Sequence, residues 1–188
     1  MTQHYDLIAI GTGTGASGAA AICRKAGWKV AVIDSLPFGG TCALRGCLPK
    51  KVLVGVAQAL DHSRRMRGKG IGGAESSIAW NELIEFKRTF TEPVPAMREA
   101  DYAKDGIDRY HGRARFRGPR SVEVGGQLLE GRFVLIATGA MPMPLGIPGE
   151  EHLLTSTEFL ELDRLPGKIV FLGGGKEYDR LLPDLQAT

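Results

Sequence analysis

Four apolar residues, Leu7, Ile8, Ala9 and Ile10, run straight into Gly11, and this junction constrains the chain more than any other feature of it. Such a run reads as a buried parallel strand. After it, GTGTGASGAAAICRKAGW has a glycine turn and then small residues that let a helix lie close on a sheet. Gly27 marks the helix end, and Val30, Ala31, Val32 and Ile33 form a second strand that closes at Asp34. Strand, turn, helix, strand and acid make a βαβ unit. Gly11, Gly13 and Ala16 fit G-x-G-x-x-[G/A], with an acid about 20 residues on. Each position has a task. Gly11 allows the turn, Gly13 leaves the backbone open to a pyrophosphate, and Ala16 permits close helix–strand contact. The helix N-terminus offers free N–H groups to phosphates, and Asp34 can accept from an adenosine ribose. A second register, Gly13-x-Gly15-x-x-Gly18, also matches, but the strand ends at Gly11 and favours the first. A dinucleotide-binding α/β domain is the expectation.

Composition agrees with that expectation. Glycine supplies 26 of 188 residues, about twice the usual share. No collagen period absorbs the excess, which points to tight turns and close approach to a ligand. A net charge of +3 gives little support for nucleic-acid binding. No signal-peptide pattern opens the chain, and no apolar stretch nears the roughly 20 residues that span a bilayer. A cytoplasmic protein without a membrane partner is expected, where a disulfide tends to be catalytic or transient.

GGTCALRGCLPKK, residues 39 to 51, holds two of the three cysteines. A redox pair, half of a metal site and two buried thiols are the competing readings. The stretch follows the second strand, so it sits near the carboxyl ends of the strands, where such folds bind ligands. On an ideal helix, positions five apart have Cα atoms about 8.6 Å from each other. A disulfide needs less than about 7 Å, so Cys42 and Cys47 can bridge only if the backbone leaves ideal helix, which Gly46 assists. Cys-x4-Cys is not the zinc-ribbon spacing, and no second pair completes four ligands. From Lys50, KKVLVGVAQALDHSRRMR reads as an amphipathic helix.

The stretch resembles the redox-active segment of the FAD-dependent pyridine nucleotide–disulfide oxidoreductases, Gly-Gly-Thr-Cys-x4-Gly-Cys-x-Pro-x-Lys. Gly39, Gly40, Thr41, Cys42, Gly46, Cys47, Pro49 and Lys51 match. Arg45 and the Lys50-Lys51 doublet lean toward the glutathione reductase branch, since dihydrolipoamide dehydrogenases and mercuric reductases usually carry Ser before the final Lys. The resemblance implies that Cys42 is the interchange thiol, Cys47 the thiolate beside the flavin, and Lys51 a neighbour of the flavin N5. Electrons would pass from reduced FAD to the Cys42–Cys47 disulfide and on to a small disulfide substrate. Cys23, inside the first helix, matches nothing catalytic and reads as a core residue.

Two later segments extend the resemblance. Gly112-Arg113-Ala114-Arg115-Phe116 resembles the segment whose backbone, at Ala114, meets the adenine. The run Arg113, Arg115, Arg117 and Arg120 reads as a solvated strand face. SVEVGGQLLEGRFVLIATGA reads as an antiparallel meander turning at Gly125-Gly126. Its end, Ala137-Thr138-Gly139, resembles the second flavin motif. Between these parts, residues 68 to 73 read as loop and NELIEFKRTFTEPVPAMREADYAKDG as helix interrupted at Pro93 and Pro95. Trp80, Phe86 and Phe90 are expected in the core.

The expected organisation is a Rossmann-like FAD-binding domain over residues 1–167, then a truncated start of an NAD(P)H-binding domain over 168–188. Lys168 to Leu172 and Gly173-Gly174-Gly175 look like that domain's first strand and turn. Arg180 falls where the family has a glutamate. The rest of the family's NAD(P)H domain and its homodimer interface domain are not expected within residues 1–188. Two expectations follow: a disulfide reductase chain that is inactive alone, or a non-catalytic FAD-binding module or remnant.

Overall fold

The computed structural model describes residues 2 to 173. The expected βαβ unit forms. Strand β1 (Gln3–Ile10), helix α1 (Thr14–Lys25) and strand β2 (Val30–Asp34) follow each other, and β1 pairs parallel with β2 from Leu7 opposite Val30 to Ile10 opposite Ile33. Two helices then carry the redox segment, α2 (Gly40–Leu44) and α3 (Cys47–Arg65). Helices α4 (Trp80–Thr91) and α5 (Val94–Lys104) are separated at Pro93, as the two prolines require. Strand β3 (Asp108–His111) pairs parallel with β2.

The remaining strands are β4 (Arg115–Phe116), β5 (Ser121–Val124) and β6 (Gln127–Ile136). They make the expected antiparallel meander, with Val124 opposite Gln127 across the Gly125-Gly126 turn. Strand β6 is long enough to serve two roles. Its first residues pair antiparallel with β5, while nearly its whole length pairs parallel with β1. One sheet results, in the order β3-β2-β1-β6-β5-β4. The order reverses direction at β1, the place where open α/β sheets form a ligand crevice at their carboxyl ends.

Period-two alternation splits the apolar residues between the two faces of the sheet. Leu7, Ala9, Val30 and Val32 meet Ala16 and Ala20 of α1, together with Phe38, Tyr102 and Ile107. Cys23 packs against this cluster, in keeping with its reading as a core residue. Ile8, Ala31 and Ile33 pack with Val122, Val124 and Leu129 of the meander. A third cluster joins α3 to α4 through Leu53, Leu83 and Ile84, and Leu160 closes it just after helix α6 (Ser156–Phe159).

Three details differ from expectation. Helix α3 starts at Cys47, ahead of Lys50, because Pro49 is compatible with a first turn that has no intrahelical N–H partner. Phe86 and Phe90 are 52% and 43% exposed, not core. Helix α4 buries Leu83, Ile84, Lys87 and Thr91, and the phenylalanines, at i and i+4 on another face, pack edge-to-face on each other. Only Trp80 joins the apolar cluster, with its Nε1–H donating to the Leu162 carbonyl. Finally, residues 168–173 form no strand, and Val170 and Leu172 are exposed. Gly174, Gly175 and Arg180 lie outside the described residues.

Candidate dinucleotide and dithiol site

The carboxyl ends of the four parallel strands converge on one short stretch of backbone. Gly11 donates to the Ile33 carbonyl at 2.6 Å, Ala137 to that of Ile10 at 2.9 Å, and Gly112 to that of Asp34 at 2.8 Å. Gly11, Asp34, Ala137 and the approach to Ala114 therefore lie along one edge of the sheet. Ala137-Thr138-Gly139 follows the last residue of β6 directly, so the second flavin-like motif abuts the first. Ala114 is half-buried beside the Val122 and Val124 cluster.

The glycines divide into those the fold needs and those it does not. Gly11 has φ +114°, and a Cβ there would overlap the Ala137 carbonyl. Gly40 has φ +70°, and its Cβ would overlap the Cα of Gly13. These two allow the turn after β1, the end of β6 and the start of α2 to touch backbone to backbone. Gly13 differs. A Cβ on it would meet only the Gly40 Cα at 3.7 Å, an ordinary contact, and Gly15 has nothing within 4 Å. Packing does not ask for glycine at either position. A bare backbone ahead of a helix N-terminus is what an incoming pyrophosphate requires. Ala16 is fully buried against the sheet, as the first register needs, and Gly18, on which the second register depends, faces open space.

Asp34 is held from two sides. Its Oδ2 accepts from the Thr12 amide at 2.9 Å and the Thr12 hydroxyl at 2.6 Å, and its Oδ1 accepts from the Leu36 amide at 3.0 Å. The loop beyond is anchored by Phe38. Its buried ring stacks on His111 at 4.4 Å and meets Tyr102 edge-on at 6.0 Å. None of these supports was visible in the motif itself. Thr12 occupies a motif position open to any residue, and its partners are 22 and 27 residues away.

The dithiol geometry follows from a break in the helix. The backbone leaves helix at Arg45 (φ −135°, ψ 12°) and Gly46 (φ −145°, ψ −106°), so Cys42 and Cys47 belong to different helices. The departure from ideal helix that a Cys42–Cys47 bond requires is thus present. Both are free, exposed thiols, and Cys42 is hydrogen-bonded to Cys47. That hydrogen bond pushes the Cys42 thiol above its ordinary pKa, helped by some desolvation and by negative charge on Cys47, while the Cys47 backbone amide and then Lys51 pull the other way. Thr41 and Lys51 are exposed beside the pair, one on each helix. Among the described residues no group of three or more metal-ligating side chains comes together.

The chain is similar in sequence to known proteins. The family model described as pyridine nucleotide-disulphide oxidoreductase matches residues 5–176. A glutathione reductase of Burkholderia cepacia is 34% identical over 91% of this chain and 38% of its own length. Dihydrolipoyl dehydrogenases of Mycoplasma pneumoniae and Thermus scotoductus are each 32% identical over 92% of this chain, and over 39% and 38% of their own lengths. The chain thus spans about two fifths of the curated relatives it matches, and the match takes in both the nucleotide turn and the dithiol segment. Proteins of this type are FAD-dependent and use a nicotinamide nucleotide. With the parallel sheet, the bare glycine turn and the paired thiols in one place, the chain belongs to the pyridine nucleotide-disulphide oxidoreductase family.

Proposed function

We propose that the chain binds FAD along the carboxyl ends of β1, β2, β3 and β6, and that Cys42 and Cys47 carry out thiol–disulfide exchange with a small disulfide. The observation that carries this reading is the backbone contact of Gly40 with Gly13, which sets the dithiol segment against the nucleotide turn. The pyrophosphate would lie over Gly11, Gly13, Gly15 and Ala16, and the ribose at Asp34. The backbone at Ala114 would meet the adenine, and Gly40, Thr41, Lys51 and Ala137-Thr138-Gly139 would face the rest of the cofactor. Reduced FAD, recharged by a nicotinamide nucleotide, would supply the two electrons that return the disulfide to two thiols.

The protein's own part is exchange. A Cys42 thiolate attacks one sulfur of the substrate disulfide, forms a mixed disulfide and releases one thiolate, which takes a proton. Cys47 then attacks Cys42 Sγ, closes the Cys42–Cys47 bond and releases the second thiol. The substrate gains two electrons and two protons, and the cysteine pair loses them. Lys51 supplies positive charge that favours thiolate. Because Cys47 holds the Cys42 proton more tightly than usual, attack from Cys42 speeds up as pH rises through that raised pKa.

Glutathione disulfide is the favoured substrate class, from Arg45 and the Lys50-Lys51 doublet. The setting is proposed to be the cytoplasm, with a homodimer as the family's assembly and no nucleic-acid or membrane partner. A second reading, an FAD-binding module without turnover of its own, is favoured by the single dinucleotide turn among the described residues. Titration of FAD against the folded protein, followed by reaction of the reduced Cys42–Cys47 pair with glutathione disulfide and with lipoamide, tests both. Saturable flavin quenching with exchange is expected. No saturable change up to millimolar FAD sinks both readings, and binding without exchange at Cys42 and Cys47 selects the second.

A further inference from the structure

We infer that Thr12 is a positioning residue of the adenosine-ribose site, holding Asp34 so that a single ribose hydroxyl can bond to it. The inference rests on the FAD reading above and adds to it a residue and a count. Thr12 is 1% exposed, although its side chain is polar. Its hydroxyl donates to Asp34 Oδ2 and accepts from the Gly39 amide at 3.2 Å. Its own amide donates to the same Oδ2. One buried side chain therefore joins the turn after β1, the acid ending β2 and the glycine that opens the dithiol segment.

The count follows from acceptor capacity. A carboxylate offers about four lone-pair sites. Two on Oδ2 are taken by Thr12 and one on Oδ1 by the Leu36 amide. What remains is one site on Oδ1, and Asp34 is only half-buried, so that site is reachable. A ribose presents two vicinal hydroxyls, and one of them is left to water or to another group. The short Asp side chain suits this arrangement, because it reaches back to Thr12 while presenting its second oxygen outward.

The test uses the full chain with ADP, 2′-deoxy-ADP and 3′-deoxy-ADP as calorimetric probes and FAD as a fluorescent one. Removing one of the two hydroxyls is expected to weaken ADP binding about tenfold, and removing the other less than about threefold. Thr12→Val should weaken FAD and ADP about tenfold and narrow the difference between the two deoxy probes, and Thr12→Ser should restore both. Circular dichroism and a thermal melt establish that each variant is folded. Equal losses for the two deoxy probes overturn the count. A folded Thr12→Val that binds every probe as the wild type does, or a Thr12→Ser no better than Val, overturns the role of Thr12. If the folded wild type binds neither ADP nor FAD, the FAD reading falls and this inference with it. Binding of ADP without discrimination between the probes leaves the FAD reading standing and removes only the inference.

Discussion

Among single residues, the thiol pair and the glycines make the sharpest demands. Cys42 is held above the ordinary thiol range chiefly by its hydrogen bond to Cys47. Its alkylation by iodoacetamide should therefore be slow at pH 8 and accelerate at higher pH. In Cys47→Ala the hydrogen bond and the like charge are gone while Lys51 remains, so the Cys42 titration should move down and the rate at pH 8 should rise. Peptide-resolved mass spectrometry across pH 6 to 10 reads both; an unchanged Cys42 profile in Cys47→Ala would contradict the coupling. Gly40 makes a different demand. Gly40→Ala must adopt a left-handed backbone and press a Cβ into Gly13, an expected loss of about 2 to 4 kcal/mol. Gly13→Ala, with only an ordinary contact to make, should unfold at nearly the wild-type denaturant concentration yet bind FAD poorly. If the two alanines destabilise the fold equally, Gly13 serves packing instead of a ligand.

At the level of elements, the instructive piece is α4 and what it holds. Its Lys87 is fully buried, donating to the Leu160 carbonyl at 3.0 Å and pairing with Glu161, while the neighbouring Arg88 reaches Asp163 at 2.8 Å. These contacts fasten the segment after α6 to the helix. Removing one partner of a buried pair leaves a charge uncompensated, whereas replacing the cation with an apolar side chain removes the need for a partner. Glu161 is 46% exposed, so solvent screens part of the loss. Glu161→Ala should then lower stability by about 1 to 3 kcal/mol and Lys87→Met by less, as urea denaturation will measure. Greater damage from Lys87→Met would show that the ammonium itself, through the Leu160 carbonyl, carries the clamp. The outer face of the same helix shows where sequence reading failed. Phe86 and Phe90 are large and apolar, yet the face selected for burial is the one bearing Lys87.

For the whole molecule, ligand binding and folding are linked. The proposed FAD site draws on the turn after β1, the end of β2, the start of α2 and the end of β6, so unfolding any of them abolishes it. At a free FAD concentration about 100 times its Kd, binding should add about 2.7 kcal/mol to stability. For a chain of this size that is a rise in Tm of roughly 5 to 11 °C. Differential scanning fluorimetry with and without FAD checks it, with FMN as a control that lacks the adenosine half. A shift with FMN equal to that with FAD would remove the adenosine contacts from the account.

The sequence by itself determined the parts whose causes are local. The apolar run before Gly11, the helix ended by Gly27, the turn at Gly125-Gly126 and the break at Gly46 all act within a few residues, so their consequences are written in adjacent letters. The match to the dithiol pattern likewise lies inside thirteen residues. Only the tertiary structure decided what lies across the fold. Gly40 must be glycine because Gly13 comes to rest against it. Lys87 can be buried because Glu161, 74 positions later, reaches it. Thr12 matters because Asp34 and Gly39 both converge on its hydroxyl. Those partners are distant along the chain, and no local pattern encodes them. They are brought together by burial of the two sheet faces, which fixes where the ends of the strands stand and therefore which polar groups must satisfy one another.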